Sequence, residues 1–288
     1  MLAWKRRTRL RHEQDSAPTH IRLSHILASL ILGSQLAFAL PAVAAPPLIT
    51  DDAGTVDVGK VEIELNNSYA RDSENENGFR LRRELFDSEL KITTGLYKNL
   101  GISLIAPYTF SERARENGVL SDDANGFGDM TLELKYCFLE LSGINFTIKP
   151  TVLIPTGKYS AGLSGGRWQF GGSLIATREF QDGKYALHAN LGYEHHDYRT
   201  DEMKEDNRRD LWSGSLAAEV RLLKELIAVV DFGLATSKDK SSDELSAYAL
   251  SGLRYEVNEH LDLDVGVKVG LTRPEDDLAI LYGLVLKF

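Results

Sequence analysis

The sequence predicts an all-β protein: an antiparallel transmembrane up-and-down β-barrel of about twelve strands, following an N-terminal signal peptide. Three observations predict it. Apolar residues recur with period two in segments of about ten residues. The connections between those segments alternate between short and long. Residues 1–44 carry the charge, apolar core and small-residue order of a secretory leader.

In the leader, Lys5, Arg6, Arg7, Arg9 and Arg11 precede an apolar run from Leu23 to Leu40 that ends in Ala42-Val43-Ala44. A membrane anchor is the competing reading, since about 20 apolar residues span a bilayer. Ser24, His25, Gly33, Ser34 and Gln35 interrupt the run and Pro41 follows it, which favours cleavage between Ala44 and Ala45. The leader takes six Lys and Arg and two acids with it, leaving 27 basic and 40 acidic side chains, a net of −13. Such a chain has no general grip on phosphate backbones, so no nucleic-acid partner is expected. With Cys137 alone, an intrachain disulfide and a multi-thiolate zinc site are excluded.

Residues 45–59 read as an N-terminal periplasmic or plug segment and residues 60–288 as the barrel. The first stripes are Val61, Ile63 and Leu65, then Leu90, Ile92 and Leu96, then Leu100 through Phe110. Met130 to Phe138, Ile144 to Ile154, Trp168 to Ala176, Tyr185 to Tyr193 and Trp212 to Val220 follow. Leu226 to Leu234, Ala247 to Tyr255, Leu261 to Leu271 and Leu278 to Phe288 complete the set. Pro107 and Pro150 fall inside strands, where each removes a ladder donor and calls for a bulge or local break.

Arg71 to Gly78, Ser111 to Gly126, Thr156 to Gly166, His195 to Arg208 and Thr236 to Glu244 are long connections. Tyr97 to Asn99, Leu139 to Gly143, Gln181 to Lys184, Leu222 to Glu225 and Val257 to His260 are short ones. Long external loops with short periplasmic turns place both termini on the periplasmic side of a Gram-negative outer membrane. Aromatics near strand ends, such as Tyr97, Tyr108, Phe110, Trp168, Trp212 and Tyr255, fit interfacial girdles, although aromatics favour strands generally. The terminal Phe288 reads as a C-terminal outer-membrane signal, with the barrel-assembly machinery and outer-membrane lipid as implied partners. A soluble barrel or sandwich would show the same alternation with its apolar face inside.

If the apolar face meets lipid, the other face lines the lumen. Glu89, Lys91, Glu133, Lys135 and Lys149 fall there in the first half, and His188, Glu219, Arg221 and Asp231 in the middle. Arg254, Asp262, Asp264 and Lys268 complete the set near the C-terminus. Rings of both signs either wet and filter a pore or pair with one another and close it. No cofactor is implied. Glu194-His195-His196-Asp197 is the one cluster with metal-ligand chemistry, but neighbours on a strand point opposite ways, and a solvated loop is the expected reading. Catalysis would need a nucleophile and base, and His188 in the lumen has no serine partner evident in sequence. Cys137, between Tyr136 and Phe138, reads as a small packing residue.

The segment Pro47-Leu48-Ile49-Thr50-Asp51-Asp52-Ala53-Gly54-Thr55, followed by Gly59 and Glu62, resembles the entrance motif of an outer-membrane family labelled for the MetA pathway of phenol degradation. Gly126-Phe127-Gly128-Asp129 and Pro150-Thr151-Val152-Leu153-Ile154-Pro155-Thr156-Gly157 extend the resemblance over nearly all of the mature chain. It implies a transporter-like barrel linked by name to aromatic catabolism, with no catalytic residues to carry across. The functional expectation is passive uptake of small solutes, hydrophobic or aromatic ones among them. The alternatives are a non-conducting barrel that anchors or binds and, from another class, an outer-membrane lipid hydrolase.

Overall fold

The structure is a computed structural model in which residues 46–76 and 79–288 are described. The expected leader and its Ala44/Ala45 junction lie outside the described residues. Thirteen strands form one antiparallel sheet. They are β1 (Val61–Glu76), β2 (Phe79–Tyr97), β3 (Leu100–Glu116), β4 (Val119–Phe127), β5 (Met130–Leu141), β6 (Ile144–Ile154) and β7 (Gln169–Phe180). After them come β8 (Tyr185–His195), β9 (Asp210–Arg221), β10 (Leu226–Ala235), β11 (Ser246–Asn258), β12 (Leu261–Gly270) and β13 (Leu278–Lys287).

Twelve of these close a ring. β1 pairs with β13 from Glu62↔Lys287 to Arg71↔Leu278, and Phe288 exchanges backbone hydrogen bonds with Val61, so the chain ends seal the seam. Closure is forced by the solvent: in hydrocarbon each unpaired backbone group costs several kcal/mol, and only a ring leaves no edge. The remaining strand, β4, pairs only with the far half of β3, while β5 pairs with the near half. Pro107 sits at this change of neighbour, beside a bulge at Phe86/Asp87, which is the break its missing donor requires. Pro150 interrupts the ladder to β5, which runs Glu133↔Thr151 and resumes at Tyr136↔Ile148 without loss of register.

The wall is uneven in height. β1, β2 and β3 have 16, 19 and 17 residues, against 10 to 13 for β5 to β13. The stretches read as long loops at Arg71 to Gly78 and Ser111 to Gly126 are therefore mostly ribbon, because paired strands outside a bilayer have no need of an apolar stripe. The other long connections are loops, and one of them carries the short helix α1 (Asp201–Asp206), capped by Thr200. Every short connection is a tight turn, with Asn99, Ser142, Gln181 and Asp182 in the left-handed region.

Apolar side chains face outward along the whole ring. Leu104, Leu134, Leu174, Leu216, Val265 and Ile280 are all more than a third exposed, which is the lipid-facing band the sequence pattern predicts. This closed barrel with an apolar exterior is an outer-membrane barrel.

Candidate functional site

Inward positions on the same strands are polar and buried, and residues 46–57 run among them. Leu48 packs in an apolar pocket formed by Ala217, Ile227, Val229, Tyr248 and Leu250 on β9, β10 and β11. One residue further, Asp231 accepts hydrogen bonds from the backbone N–H groups of Ile49 and Thr50, each at 2.7 Å, and from Thr50 Oγ1 at 2.6 Å. Across the lumen, Asp51 is held by Lys135 Nζ and Lys149 Nζ, both at 2.8 Å. Ala53 closes the crossing: its N–H donates to Thr177 Oγ1 at 2.8 Å and its carbonyl accepts from Thr147 Oγ1 at 2.7 Å. The chain then returns to the wall at Gly95, where a β-carbon would lie 2.2 Å from the Asp57 carbonyl oxygen, so only glycine admits this approach.

Of the candidate lumen residues, Lys91, Glu133, Lys149, Asp231, Arg254 and Lys268 are among those that are buried. Lys91 pairs with Glu64 at 3.1 Å, and Glu133 lies 3.8 Å from Lys149. Arg254 grips Glu219 in a fork of 3.1 and 2.8 Å, and Arg221 grips Glu256 at 2.7 and 3.0 Å. Lys268 is ion-paired with Glu275, and Asp262 with Lys287 at 2.6 Å. Glu89 and Asp264 form no ion pair among the described residues, and Glu89 Oε1 and Asp264 Oδ2, like Glu133 Oε1 and Asp262 Oδ1, are buried with no hydrogen-bond partner there. Most of the two-signed ring thus pairs with itself or with the inserted segment.

Among the described residues, a cavity lies on each side of that segment. The one toward the turns is the larger, about 280 Å³, and charged groups such as Asp51, Glu64, Lys91, Arg254, Asp262 and Lys287 line it. The one toward the loops is about 40 Å³ and is lined by Ile49, Asn190, Leu234 and Tyr248 among others. Residues 46–57 therefore separate a charged vestibule from a small, partly apolar one.

His188 has a hydroxyl partner after all, a threonine: Thr177 Oγ1 lies 2.9 Å from Nδ1, while Nε2 faces Glu219 at 3.8 Å. Ala53 covers that hydroxyl, and neither His188 nor Thr177 lines either cavity.

The reading of residues 194–197 as a solvated loop needs correction. His195 is half-buried and bonds Asp210 at 2.8 Å, but His196 is fully buried, with Nε2 2.6 Å from Glu194. Tyr198 and Gln169 are buried with it, forming a layer under the external loops. No group of three or more metal-ligating side chains occurs among the described residues. In the loop between β10 and β11, burial of Lys238 against the Tyr198 ring lowers its pKa to about 7, opposed by Glu194 and Asp129. Burial likewise raises the Tyr198 hydroxyl.

Sequence reasoning missed Tyr248, whose hydroxyl reaches Asp231 at 3.2 Å. The available clue was Gly233, its ladder partner, where a β-carbon would lie 2.3 Å from the ring. An inward tyrosine opposite a glycine marks a ring lying flat across the wall.

Comparison with solved structures shows the same fold. The COG4313 outer membrane channel from Pseudomonas putida F1 matches with a TM-score of 0.64 at 15% identity, over 82% of this chain and 98% of that one. The NanC porin matches at 0.52 and 10% identity, over 78% of this chain and 100% of that one. The translocator domain of the autotransporter NalP from Neisseria meningitidis matches at 0.50 and 9% identity, over 93% and 98%. No curated protein matches the chain. The family model described as "Putative MetA-pathway of phenol degradation" matches residues 51–288, a span that takes in both the inserted Asp51 and the terminal Phe288 of the seam, and the chain belongs to that family.

Proposed function

We propose that the protein is an outer-membrane channel for passive uptake of small solutes, with hydrophobic or aromatic compounds as its preferred class. The observation that supports this reading is the seat of Leu48. An apolar pocket of Ala217, Ile227, Val229, Tyr248 and Leu250 lies inside an otherwise charged lumen and is filled by the protein's own leucine. Burying a leucine is worth about 1.5–3 kcal/mol, so a small apolar solute competes for that seat on comparable terms. The family's link to phenol degradation and the channel from Pseudomonas putida F1 point the same way. Residues 46–57 act as a plug, and a signal peptide removed before Ala45 frees that segment to enter the barrel.

The ion-paired lumen favours a second reading, a non-conducting barrel that anchors or binds. Planar-bilayer recording separates them. The uptake reading expects a small conductance in the mature protein that rises when residues 46–57 are deleted, together with faster entry of phenol-sized solutes into proteoliposomes. Silent bilayers and impermeable vesicles from both forms would favour the anchor.

A further inference from the structure

The ribbon that rises above the ring has an outward face unlike any other part of the wall. Register fixes which side chains share it. Ser88 pairs with Tyr108, Glu84 with Arg113 and Arg82 with Arg115, while Tyr108 pairs with Phe127 and Arg113 with Asp123. Glu112 and Ala114, which alternate with the arginines, are buried on the opposite side. Lowest on the outward face is an aromatic shelf, where Phe110 stacks on Phe86 at 5.0 Å and Tyr108 meets Phe110 and Phe127 edge-on at 4.9 Å. Phe110 and Phe127 are about half exposed, as interfacial residues are.

Directly above that shelf the face turns basic. Arg71, Arg80, Arg82, Arg113 and Arg115 stand against Glu84 and Asp123, in a chain whose formal charge is −9. Glu84 is shared, with Arg82 on one oxygen at 2.6 Å and Arg115 on the other at 3.4 Å. A single carboxylate cannot neutralise two guanidiniums, but it orients both forks and leaves most of their five donors each for another acceptor. Arg113 and Arg115 lie three and five residues beyond Phe110, roughly 10–17 Å along the strand and less along the membrane normal once tilt is counted. That is headgroup depth on the loop side, the outer leaflet.

We propose that this face binds the phosphate groups of the outer leaflet's phosphorylated glycolipid, with Arg82, Arg113 and Arg115 as the phosphate ligands and the Tyr108–Phe110–Phe127 shelf under its acyl–sugar junction. Arginine forks match phosphate bidentately, and the shelf sets the depth at which they meet it. The wall next to this lipid is also the tallest, which gives the glycolipid's sugars a surface to lie against.

The test uses the full mature protein in detergent and native mass spectrometry with three probes: bisphosphorylated lipid A, lipid A stripped of both phosphates, and phosphatidylglycerol. The expected result is preferential retention of bisphosphorylated lipid A by the wild type. R82Q/R113Q/R115Q is expected to weaken it about tenfold or more. R178Q, which removes an exposed arginine at the turn-side end, is expected to leave it unchanged. Heat-modifiable migration checks folding, and R113Q alone, expected to weaken retention in the same direction, stands in if the triple variant does not fold. Equal retention by the variants, equal retention of the phosphate-free lipid, or equal retention of phosphatidylglycerol would overturn the proposal.

Discussion

The two faces of one strand are built for opposite solvents, and β12 shows the contrast within ten residues. Leu263, Val265, Val267 and Val269 face outward and are more than a third exposed, yet Asp262, Asp264 and Lys268 between them are buried. A soluble sheet would reverse these exposures. The difference means that the outer face is held by lipid, is tolerant of any apolar shape and is intolerant of charge. The inner face is held by specific partners and is sensitive to the loss of any one of them.

The sharpest way to break the inner face is Lys149→Met. Lys149 is the most buried of the lumen cations and serves Asp51 and Glu133 together, so its removal takes a counter-ion from two buried carboxylates. Breaking a buried pair from one side costs about 3–5 kcal/mol, and the expected outcome is a matching loss in urea unfolding from detergent or bilayers. The same variant should raise bilayer conductance, because Asp51 then keeps only Lys135. On the outer face the comparable change is Val265→Arg, at the middle of β12. A lipid-facing Arg at the midplane costs about 2–4 kcal/mol, while Asp264→Asn one residue away is expected to cost little or to stabilise, since Asp264 Oδ2 lacks a partner among the described residues. Equal effects at Val265 and Asp264 would refute the division of faces.

Asp231→Asn is expected to be smaller and more local. An amide has one oxygen where the carboxylate offers two, so the bonds to Ile49, Thr50 and Tyr248 cannot all survive. The loss is about 1–3 kcal/mol, concentrated in the inserted segment. Hydrogen exchange should therefore quicken at residues 48–53 while β10 stays protected. Uniform quickening of the barrel would mean that the segment is integral to the fold and not separable from it.

What was legible in the sequence follows the same division. Each stretch in contact with lipid declared itself, because hydrocarbon demands an apolar residue at every second position. The turns declared themselves by length. The ribbon from Arg71 to Gly78 and from Ser111 to Gly126 did not, since strands in water need only backbone partners and these carry Arg, Asp, Glu and Asn. Which face of a strand a residue takes was readable from parity, as with Lys91 and Arg254, which are buried opposite the exposed apolar stripe. Their pairing was not, because Asp51 and Lys149 are 98 residues apart and meet only when the segment folds inward. His196 was misjudged for a related reason: a polar residue beyond a strand end reads as solvated, and only its burial beside the Tyr198 ring removes the water.

The smallest expected effect lies in that loop layer, which belongs to neither face. Lys238 is buried beside the Tyr198 ring, with Glu194 and Asp129 as its acidic neighbours. Its folded pKa of about 7 lies below the ordinary 10.5, so closing the layer costs a proton wherever the open form is charged. The sign follows: above pH 10.5 neither state holds the proton and the layer has its full stability. As pH falls through the window toward 7, that stability is progressively lost, and below 7 both states are charged and the loss is complete. Thermolysin cleavage within residues 196–209 and 236–245 should accordingly be faster at pH 7 than at pH 9, with the barrel strands resistant at both. Lys238→Met removes the titrating group while keeping the apolar stem that packs on Tyr198, so its cleavage rate, corrected for protease activity, should be the same at the two pH values. A variant that keeps the wild-type pH dependence would show that Lys238 is not the titrating group.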